Sequence, residues 1–188
     1  MSAPREESQF TVRLATLDDV PALEALIADS VRVLQAPDYS AEQREAALGT
    51  VFGVDRQLIR DETYFVVETA GGVIAGCGGW SRRKTLFGSD QRGGREDAML
   101  DPACDAARIR AFFVRPGYER RGIGSLIMEA SERAAENQGF TRLELRATLT
   151  GVPLYRKHGF IEVEQTEIPL ASGDALRAIQ MLKVLRAG

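Results

Sequence analysis

The sequence predicts one layered α/β domain with a mixed β-sheet, in which the elements follow the order β-α-α-β-β-β-α-β-α-β-β. Short segments that alternate apolar and polar residues interchange with segments whose apolar residues recur every three or four positions. The 188 residues suit a single domain. Because the chain shows no internal repeat and no internal domain boundary, we expect residues 1–188 to fold as one unit.

The first part of the chain is predicted to contain capped helices and a hairpin. Thr16 is followed three residues later by Asp19, and Ser40 by Gln43, which is the pattern of a side chain that caps a helix start. Two glycines at 71–72 separate two apolar segments and predict a hairpin turn. The elements expected here are a strand at 10–14, a helix at 20–34, a helix from 40 to about 51, a helical turn at 55–60, and strands at 63–68 and 73–80.

Residues 81–107 lack such a pattern. They are polar, include three glycines and show no period. A stretch of this length without structure of its own is uncommon inside a compact domain. We expect a mobile loop without a direct chemical role, and the alternative is a flap that covers a binding site.

A strand, a glycine-containing turn and a helix form the centre of the sequence. The apolar run at 109–114 predicts the strand, and a Pro-Gly pair at 116–117 ends it. From Ile123 onward, apolar residues share one helical face until Gly139 ends the helix. The remaining elements are expected to be a strand at 142–147, a short helix at 153–158, and strands at 161–170 and 175–185.

The turn before this helix has the features of a diphosphate-binding site. The first N–H groups of a helix have no partner inside it, and the helix dipole adds partial positive charge there. Glycine lets a phosphate approach the backbone closely. Two common patterns do not fit. A Walker A loop ends in Gly-Lys-Ser/Thr, but Gly124 is followed directly by Ser125 without a lysine. A dinucleotide fingerprint would need a glycine where Ile127 stands.

A third pattern fits. The segment VRPGYERRGIG at 114–124 resembles the acyl-CoA-binding core of the GCN5-related N-acetyltransferases (GNAT), in which Val-x-Pro is followed by Q/R-x-x-G-x-G/A and a helix. Glu119 departs from this pattern, since it stands where the family has Gln or Arg. The resemblance implies that residues around this turn bind acetyl-CoA. These residues are Phe112, Phe113, Val114, Glu119, Arg120, Arg121, Gly122, Ile123, Gly124 and Ser125.

A second family motif follows in the expected order. The family has a tyrosine on a short helix before a Gly-Phe pair, and Tyr155 precedes Gly159 and Phe160 in this way. The resemblance implies that Tyr155 is the general acid. Thr148 stands where the family often has an asparagine near the pantetheine arm, and a hydroxyl makes fewer hydrogen bonds than an amide. Together the motifs extend the resemblance over nearly the whole chain and imply a mostly antiparallel sheet flanked by helices.

The implied reaction moves an acetyl group to an amine, which attacks the thioester carbonyl and releases CoA as a thiolate. A tyrosine and a thiol differ by about 1.5 pKa units in water, or about 2 kcal/mol, so a positioned Tyr155 can protonate the thiolate. The oxyanion needs a hydrogen-bond donor. The resemblance implies a backbone N–H of the central strand, near Phe112 or Phe113.

Several other residues have two interpretations. The central strand offers no base for the amine, which leaves Asp105 and Glu144 as weak candidates. Tyr39 and Trp80 could line the pocket for the acceptor amine or pack in the core. His158 lies at a helix C-terminus, where a surface position is expected.

Composition excludes other classes. The net charge of −3 and the pI of about 5.4 are unlike those of a general nucleic-acid binder. The N-terminus lacks an apolar signal segment and no run approaches the length of a membrane span, so we expect no membrane partner and a cytoplasmic location. The two cysteines and one histidine predict no metal site. Paired strands at the C-terminal edge of the sheet favour a homodimer.

These observations favour an acetyl-CoA-dependent N-acetyltransferase that acts on a small-molecule or protein amine. The alternative is a catalytically inactive acyl-CoA-binding sensor or regulatory module of the same fold. The substitution at Glu119 and the lack of an evident base favour that alternative.

Overall fold

The computed structural model describes residues 9–185. Its helices and strands follow the predicted order, including the helical turn expected at 55–60. Two 3₁₀ turns, Leu17–Asp19 and Leu149–Gly151, precede the first and last helices. The elements are β1 Phe10–Leu14, α1 Val20–Leu34, α2 Ala41–Ala47, α3 Arg56–Arg60, β2 Tyr64–Thr69, β3 Ile74–Ser81, β4 Ala107–Val114, α4 Ile123–Asn137, β5 Arg142–Thr148, α5 Val152–Lys157, β6 Ile161–Pro169 and β7 Ala175–Val184.

Helix α2 starts as predicted and ends earlier. The Ser40 side chain accepts a hydrogen bond from the Gln43 N–H (3.1 Å), and the Gln43 side chain accepts one from the Ser40 N–H (3.0 Å). We expected this helix to reach about residue 51, which was wrong. It ends at Ala47 because Leu48 is extended and Gly49 has a left-handed φ of 84°.

The sheet is mixed and mostly antiparallel, with the strand order β1-β2-β3-β4-β5-β7-β6. The neighbours β4 and β5 are parallel, and the other neighbours are antiparallel. Only two residue pairs join β4 to β5, Ala107 with Leu143 and Arg108 with Glu144. Beyond these pairs the two strands are no longer hydrogen-bonded, and a gap opens beside the C-terminal half of β4.

A bulge lies in β4 beside this gap. Cys77 pairs with Phe113 and Gly79 with Arg110, so Ala111 and Phe112 together oppose one residue of β3. Ala111 has a φ of 55°, which is uncommon for a residue with a Cβ. The hydroxyl of the buried Tyr64 donates a hydrogen bond to the Ala111 carbonyl (2.8 Å). Tyr64 therefore gives a partner to the carbonyl that the bulge turns out of the ladder.

Glycines in β3 allow helix α4 and strand β2 to pack closely on it. A Cβ at Gly76 would lie 2.4 Å from a methyl carbon of Ile123 in α4. One at Gly79 would lie 2.1 Å from the backbone oxygen of Thr63. The glycines of β3 thus determine how closely the start of α4 can approach the sheet.

The segment 82–106 follows a defined course between β3 and β4. The Lys84 N–H donates to the Ala98 carbonyl (2.9 Å), and the Leu100 N–H donates to the Arg82 carbonyl (2.8 Å), so the segment folds back on itself. Its mobility stays a prediction. Within residues 9–185, no helix combines the length and apolar character that a bilayer crossing requires.

Candidate active site

A cleft of about 500 Å³ opens where β4 and β5 separate. Its walls come from the end of β4, the turn and first residues of α4, the end of β5 and helix α5. Of the twelve residues expected to bind acetyl-CoA or act as the acid, all but Arg121 line it. They are Phe112, Phe113, Val114, Glu119, Arg120, Gly122, Ile123, Gly124, Ser125, Thr148 and Tyr155.

The start of α4 presents unpaired backbone donors to this cleft. No side chain caps the helix, and Leu126 is the first residue whose N–H bonds back into it, to the Gly122 carbonyl (3.0 Å). The N–H groups of residues 122–125 are therefore available to an anion, and the helix dipole favours one there.

The two glycines of this turn have different roles. Gly122 has a φ of 83°, and a Cβ there would meet nothing within 4 Å. It therefore serves the left-handed backbone that starts the helix. A Cβ at Gly124 would lie 2.9 Å from a methyl carbon of Leu154. Gly124 thus lets α4 approach α5, the helix that carries Tyr155.

The three charged side chains of the turn have different surroundings. The Glu119 carboxylate accepts a hydrogen bond from the Gly117 N–H (2.9 Å) and lies in an exposed position. The Arg121 guanidinium lies over the ring of Tyr118, 5.2 Å from its centroid. Arg120 lines the cleft with a left-handed φ of 60°.

Tyr155 closes the other end of the cleft. Its ring contacts Phe112 and Phe160 edge to face, with centroids 6.0 and 5.9 Å apart. The side chain is 8% exposed, and burial raises its pKa well above the usual value of a tyrosine. Among the described residues its hydroxyl has no hydrogen-bond partner. The phenol is thus protonated at neutral pH and free to donate.

A second, smaller cavity of about 80 Å³ adjoins the cleft at Tyr155. It shares five residues with the large cleft: Gln35, Phe112, Phe113, Thr148 and Tyr155. The segment 82–106 contributes Leu86, Phe87 and Gly88 to its wall. The two cavities therefore meet at the gap between β4 and β5, and a molecule in each could touch there.

The comparisons with known proteins agree with this geometry. The family model described as "Acetyltransferase (GNAT) domain" matches residues 60–162, which is more than half of the chain. The chain belongs to the GNAT family. It is also 32% identical over 76 residues to the "Uncharacterized N-acetyltransferase YjcF" of Bacillus subtilis, a match that covers 40% of this chain and 52% of that relative. The match thus spans about half the length of the curated relative.

Solved GNAT structures share the fold. A GCN5-related N-acetyltransferase from Rhodopseudomonas palustris superposes with a TM-score of 0.69 at 21% identity, over 97% of this chain and 100% of that one. The PaiA N-acetyltransferase from Thermoplasma acidophilum, solved in complex with coenzyme A, gives a TM-score of 0.61 at 14% identity, over 93% and 98% of the two chains.

The two residues expected to line the acceptor pocket of this GNAT chain lie in its core. Trp80 is 2% exposed and packs against Phe140 with ring centroids 5.9 Å apart. The hydroxyl of the buried Tyr39 donates to the Arg177 carbonyl (2.6 Å) and accepts from the Leu149 N–H (3.0 Å). Neither residue lines the two cavities, so the structure favours their packing interpretation.

The weak base candidates lie away from both cavities. Glu144 pairs with Arg108, and Asp105 accepts a hydrogen bond from the Asp101 N–H (2.8 Å). His158 is half-buried, and its Nε2 lies 3.0 Å from the Ser125 hydroxyl, at the start of α4. Burial lowers the pKa of His158. A surface position was expected for His158, and its side chain is half-buried instead.

Sequence reasoning missed three polar groups near the GNAT site. Gln35 at the end of α1 and Arg146 on β5 line the smaller cavity. Asp55, which is fully buried, binds Arg110 of β4 (2.9 Å) and Arg95 of the segment 82–106 (3.0 Å). Asp55 also caps α3, and this cap is the one local feature from which the sequence could have indicated a role for Asp55.

Proposed function

We propose that the protein transfers an acetyl group from acetyl-CoA to an amine by direct attack on the thioester. The observation that carries this proposal is one continuous cleft with unpaired amides of α4 at one end and the unpaired hydroxyl of Tyr155 at the other. A coenzyme A diphosphate suits the first end, and a leaving thiolate suits the second. The relative from Thermoplasma acidophilum, which shares the fold, was solved with coenzyme A.

The backbone of β4 supplies further donors to the bound thioester. The Arg115 N–H donates to Ala75 of β3 (2.8 Å), and backbone groups along a strand point to alternate sides. By this alternation the N–H of Phe113 faces β3 and the N–H of Val114 faces the gap, and we propose that the bulge at Ala111 turns the N–H of Phe112 toward the gap as well. We assign the oxyanion donor to Phe112, which also contacts Tyr155.

Tyr155 then protonates the departing thiolate. The amine adds to the thioester carbonyl and forms the C–N bond of a tetrahedral oxyanion, which collapses as the C–S bond breaks. The amine proton passes to water, and the phenol proton passes to sulfur. Burial makes Tyr155 a weaker acid than a tyrosine in water, so the gap of about 1.5 pKa units becomes larger. The CoA thiolate forms in the same buried cleft, where burial raises the pKa of the thiol as well. The difference between the pKa values of Tyr155 and the thiol therefore becomes smaller again.

Binding and turnover can be tested in sequence. Calorimetric titration with CoA and acetyl-CoA should show binding, and incubation with acetyl-CoA and an amine panel should release free thiol. No heat with either compound at millimolar concentration would overturn the proposal.

An acyl-CoA sensor of the same fold is the second candidate. Glu119 is the one carboxylate that lines the large cleft, and none lines the small cavity, so the described residues offer the amine no direct base there. Binding of CoA without thiol release from any amine would support the sensor.

We also propose that the protein forms a homodimer through β6, the last strand of the sheet. Ile161 and Val163 are exposed on this edge strand, and an unpaired edge can accept a second strand. Light scattering should give twice the monomer mass of 20.6 kDa. A monomer at all concentrations would contradict this proposal.

A further inference from the structure

The smaller cavity contains polar atoms that the acetyl transfer described above does not use. Gln35 is 6% exposed, and its side-chain oxygen is buried without a hydrogen-bond partner. Arg146 is half-buried, and its Nε is also buried without a partner. Both residues line the small cavity, and Gln35 lines the large cleft as well. A buried polar group without a partner is costly, so both atoms point to a ligand that supplies one.

No carboxylate among the described residues forms an ion pair with Arg146. Arg146 and Arg92 lie over the ring of Phe87, at 4.8 and 4.1 Å from its centroid. Among residues 9–185, neither guanidinium has a carboxylate within 4.0 Å. Burial lowers the pKa of both, and the charge of Arg146 lowers the pKa of Arg92 further.

The neighbouring Arg110 shows the opposite situation. It bonds to Asp55 (2.9 Å) and to the carbonyls of Thr85 and Gly88 (2.8 Å each). Its charge is thus balanced by the fold. The carboxylate that acts on Arg146 is Glu164 of β6, which is exposed and outside the cavity. An anion in the cavity would therefore meet Arg146 with no competing carboxylate on the wall.

We propose that the acceptor is a small amine that carries a carboxylate. Its amine lies against the Gln35 oxygen, where the two cavities meet, and its carboxylate lies against the Arg146 guanidinium in the small cavity. The amine thus lies between Gln35 and the thioester carbonyl, beside Phe112 and Tyr155. A cavity of about 80 Å³ suits an amino acid better than a polypeptide segment. This inference rests on the proposed acetyl transfer.

Substrate preference tests the carboxylate. Each amino acid of a panel that includes β-alanine is compared with its carboxamide and its decarboxylated amine, and kcat/KM is measured by free-thiol release. We expect the free acid to be preferred by roughly 10- to 100-fold, because a charge-assisted pair with arginine is lost in the other two compounds. Equal rates for acid, amide and amine would overturn the inference, and so would a preference for 2-aminoethyl phosphate.

Variants assign the preference to Arg146. Arg146→Met should raise KM for the acid roughly 10- to 100-fold, with little change in kcat or in KM for the amide, and Arg146→Lys should restore part of the difference. Arg133→Met, on an exposed position of α4, is the matched control and should leave the preference intact. An acid preference that Arg146→Met does not change would overturn the assignment.

Calorimetry with CoA separates this inference from the proposed function. Each variant is first titrated with CoA, and its melting temperature is measured. If the wild-type protein does not bind CoA, the proposed function and the inference both fail. If it binds CoA and acetylates amines without regard to a carboxylate, only the inference fails.

Discussion

Tyr155 and Gly122 show how single residues set the chemistry of the cleft. The hydroxyl of Tyr155 has no partner among the described residues, and burial raises its pKa. Gly122 gives the chain the left-handed turn that leaves the first amides of α4 open. In the proposed mechanism, the first residue supplies the proton and the second leaves room for the diphosphate.

Replacement of the phenol tests the acid. Tyr155→Phe should lower kcat by about 10²- to 10⁴-fold, since a positioned acid contributes that much, while affinity for CoA is retained. Because burial raises the pKa of Tyr155, the wild-type rate should not fall through pH 10, where an ordinary tyrosine loses its proton. Steady-state kinetics across pH and calorimetry with CoA give both numbers. Full activity in Tyr155→Phe would remove this residue from the mechanism.

Two glycines with the same backbone allow a matched test of the diphosphate site. Gly122 and Gly117 have φ values of 83° and 88°, and a Cβ at either would meet nothing within 4 Å. Alanine at either position should therefore cost about 1–2 kcal/mol of unfolding free energy. Only Gly122→Ala should also weaken CoA binding, because only Gly122 precedes the free amides of α4. Urea unfolding and calorimetry measure the two effects, and equal CoA affinity in both variants would contradict the site.

At the scale of elements, the bulge in β4 and the short pairing of β4 with β5 create the gap in which the site lies. The bulge gives Ala111 a left-handed backbone and needs the hydroxyl of Tyr64 to satisfy its carbonyl. Gly78 of β3 has no side chain at this point, and a Cβ there would lie 2.6 Å from the ring of Phe112. The position of Phe112 therefore depends on both neighbouring strands.

Loss of the Tyr64 hydroxyl tests the support of the bulge. Tyr64→Phe removes the hydrogen bond to Ala111 and leaves a part-buried carbonyl without this partner, so we expect a loss of about 1–3 kcal/mol in unfolding free energy. Because the bulge sets the direction of the Phe112 N–H, kcat should fall as well. Denaturant unfolding and free-thiol kinetics measure both. A variant as stable and as active as the wild-type protein would show that the bulge does not need this bond.

At the scale of the whole molecule, one buried carboxylate connects three distant parts of the chain. Asp55 precedes α3, Arg110 lies in β4, and Arg95 belongs to the segment 82–106. This segment also supplies Phe87 to the small cavity. The Asp55 cluster thus holds part of the cavity wall against the central strand.

Removal of this carboxylate should be strongly destabilising. Asp55→Ala leaves the buried Arg110 without its anion, and we expect a loss of about 3–5 kcal/mol in unfolding free energy. Glu45→Ala breaks the exposed pair with Arg32 and should have no measurable effect. Hydrogen exchange should also rise at Lys84 and Leu100 in Asp55→Ala only. Similar stability of the two variants would contradict this role for Asp55.

The sequence alone determined the order of the elements, the glycine turn before α4 and the short helix that carries Tyr155. Each of these depends on residues close together in the chain, because periodicity and caps are local signals. The local pattern predicted the wrong end for α2, which stops at Ala47 because Gly49 turns the chain there.

The tertiary structure decided which polar groups meet. The bulge at Ala111, the Asp55 cluster and the cavity between Gln35 and Arg146 all join residues far apart in the chain, and no local pattern encodes such pairings. The segment 82–106 has no period, yet the carbonyls of Thr85 and Gly88 in it give the buried Arg110 hydrogen-bond partners. Trp80 lies in the core, and its burial depends on the packing of the whole sheet.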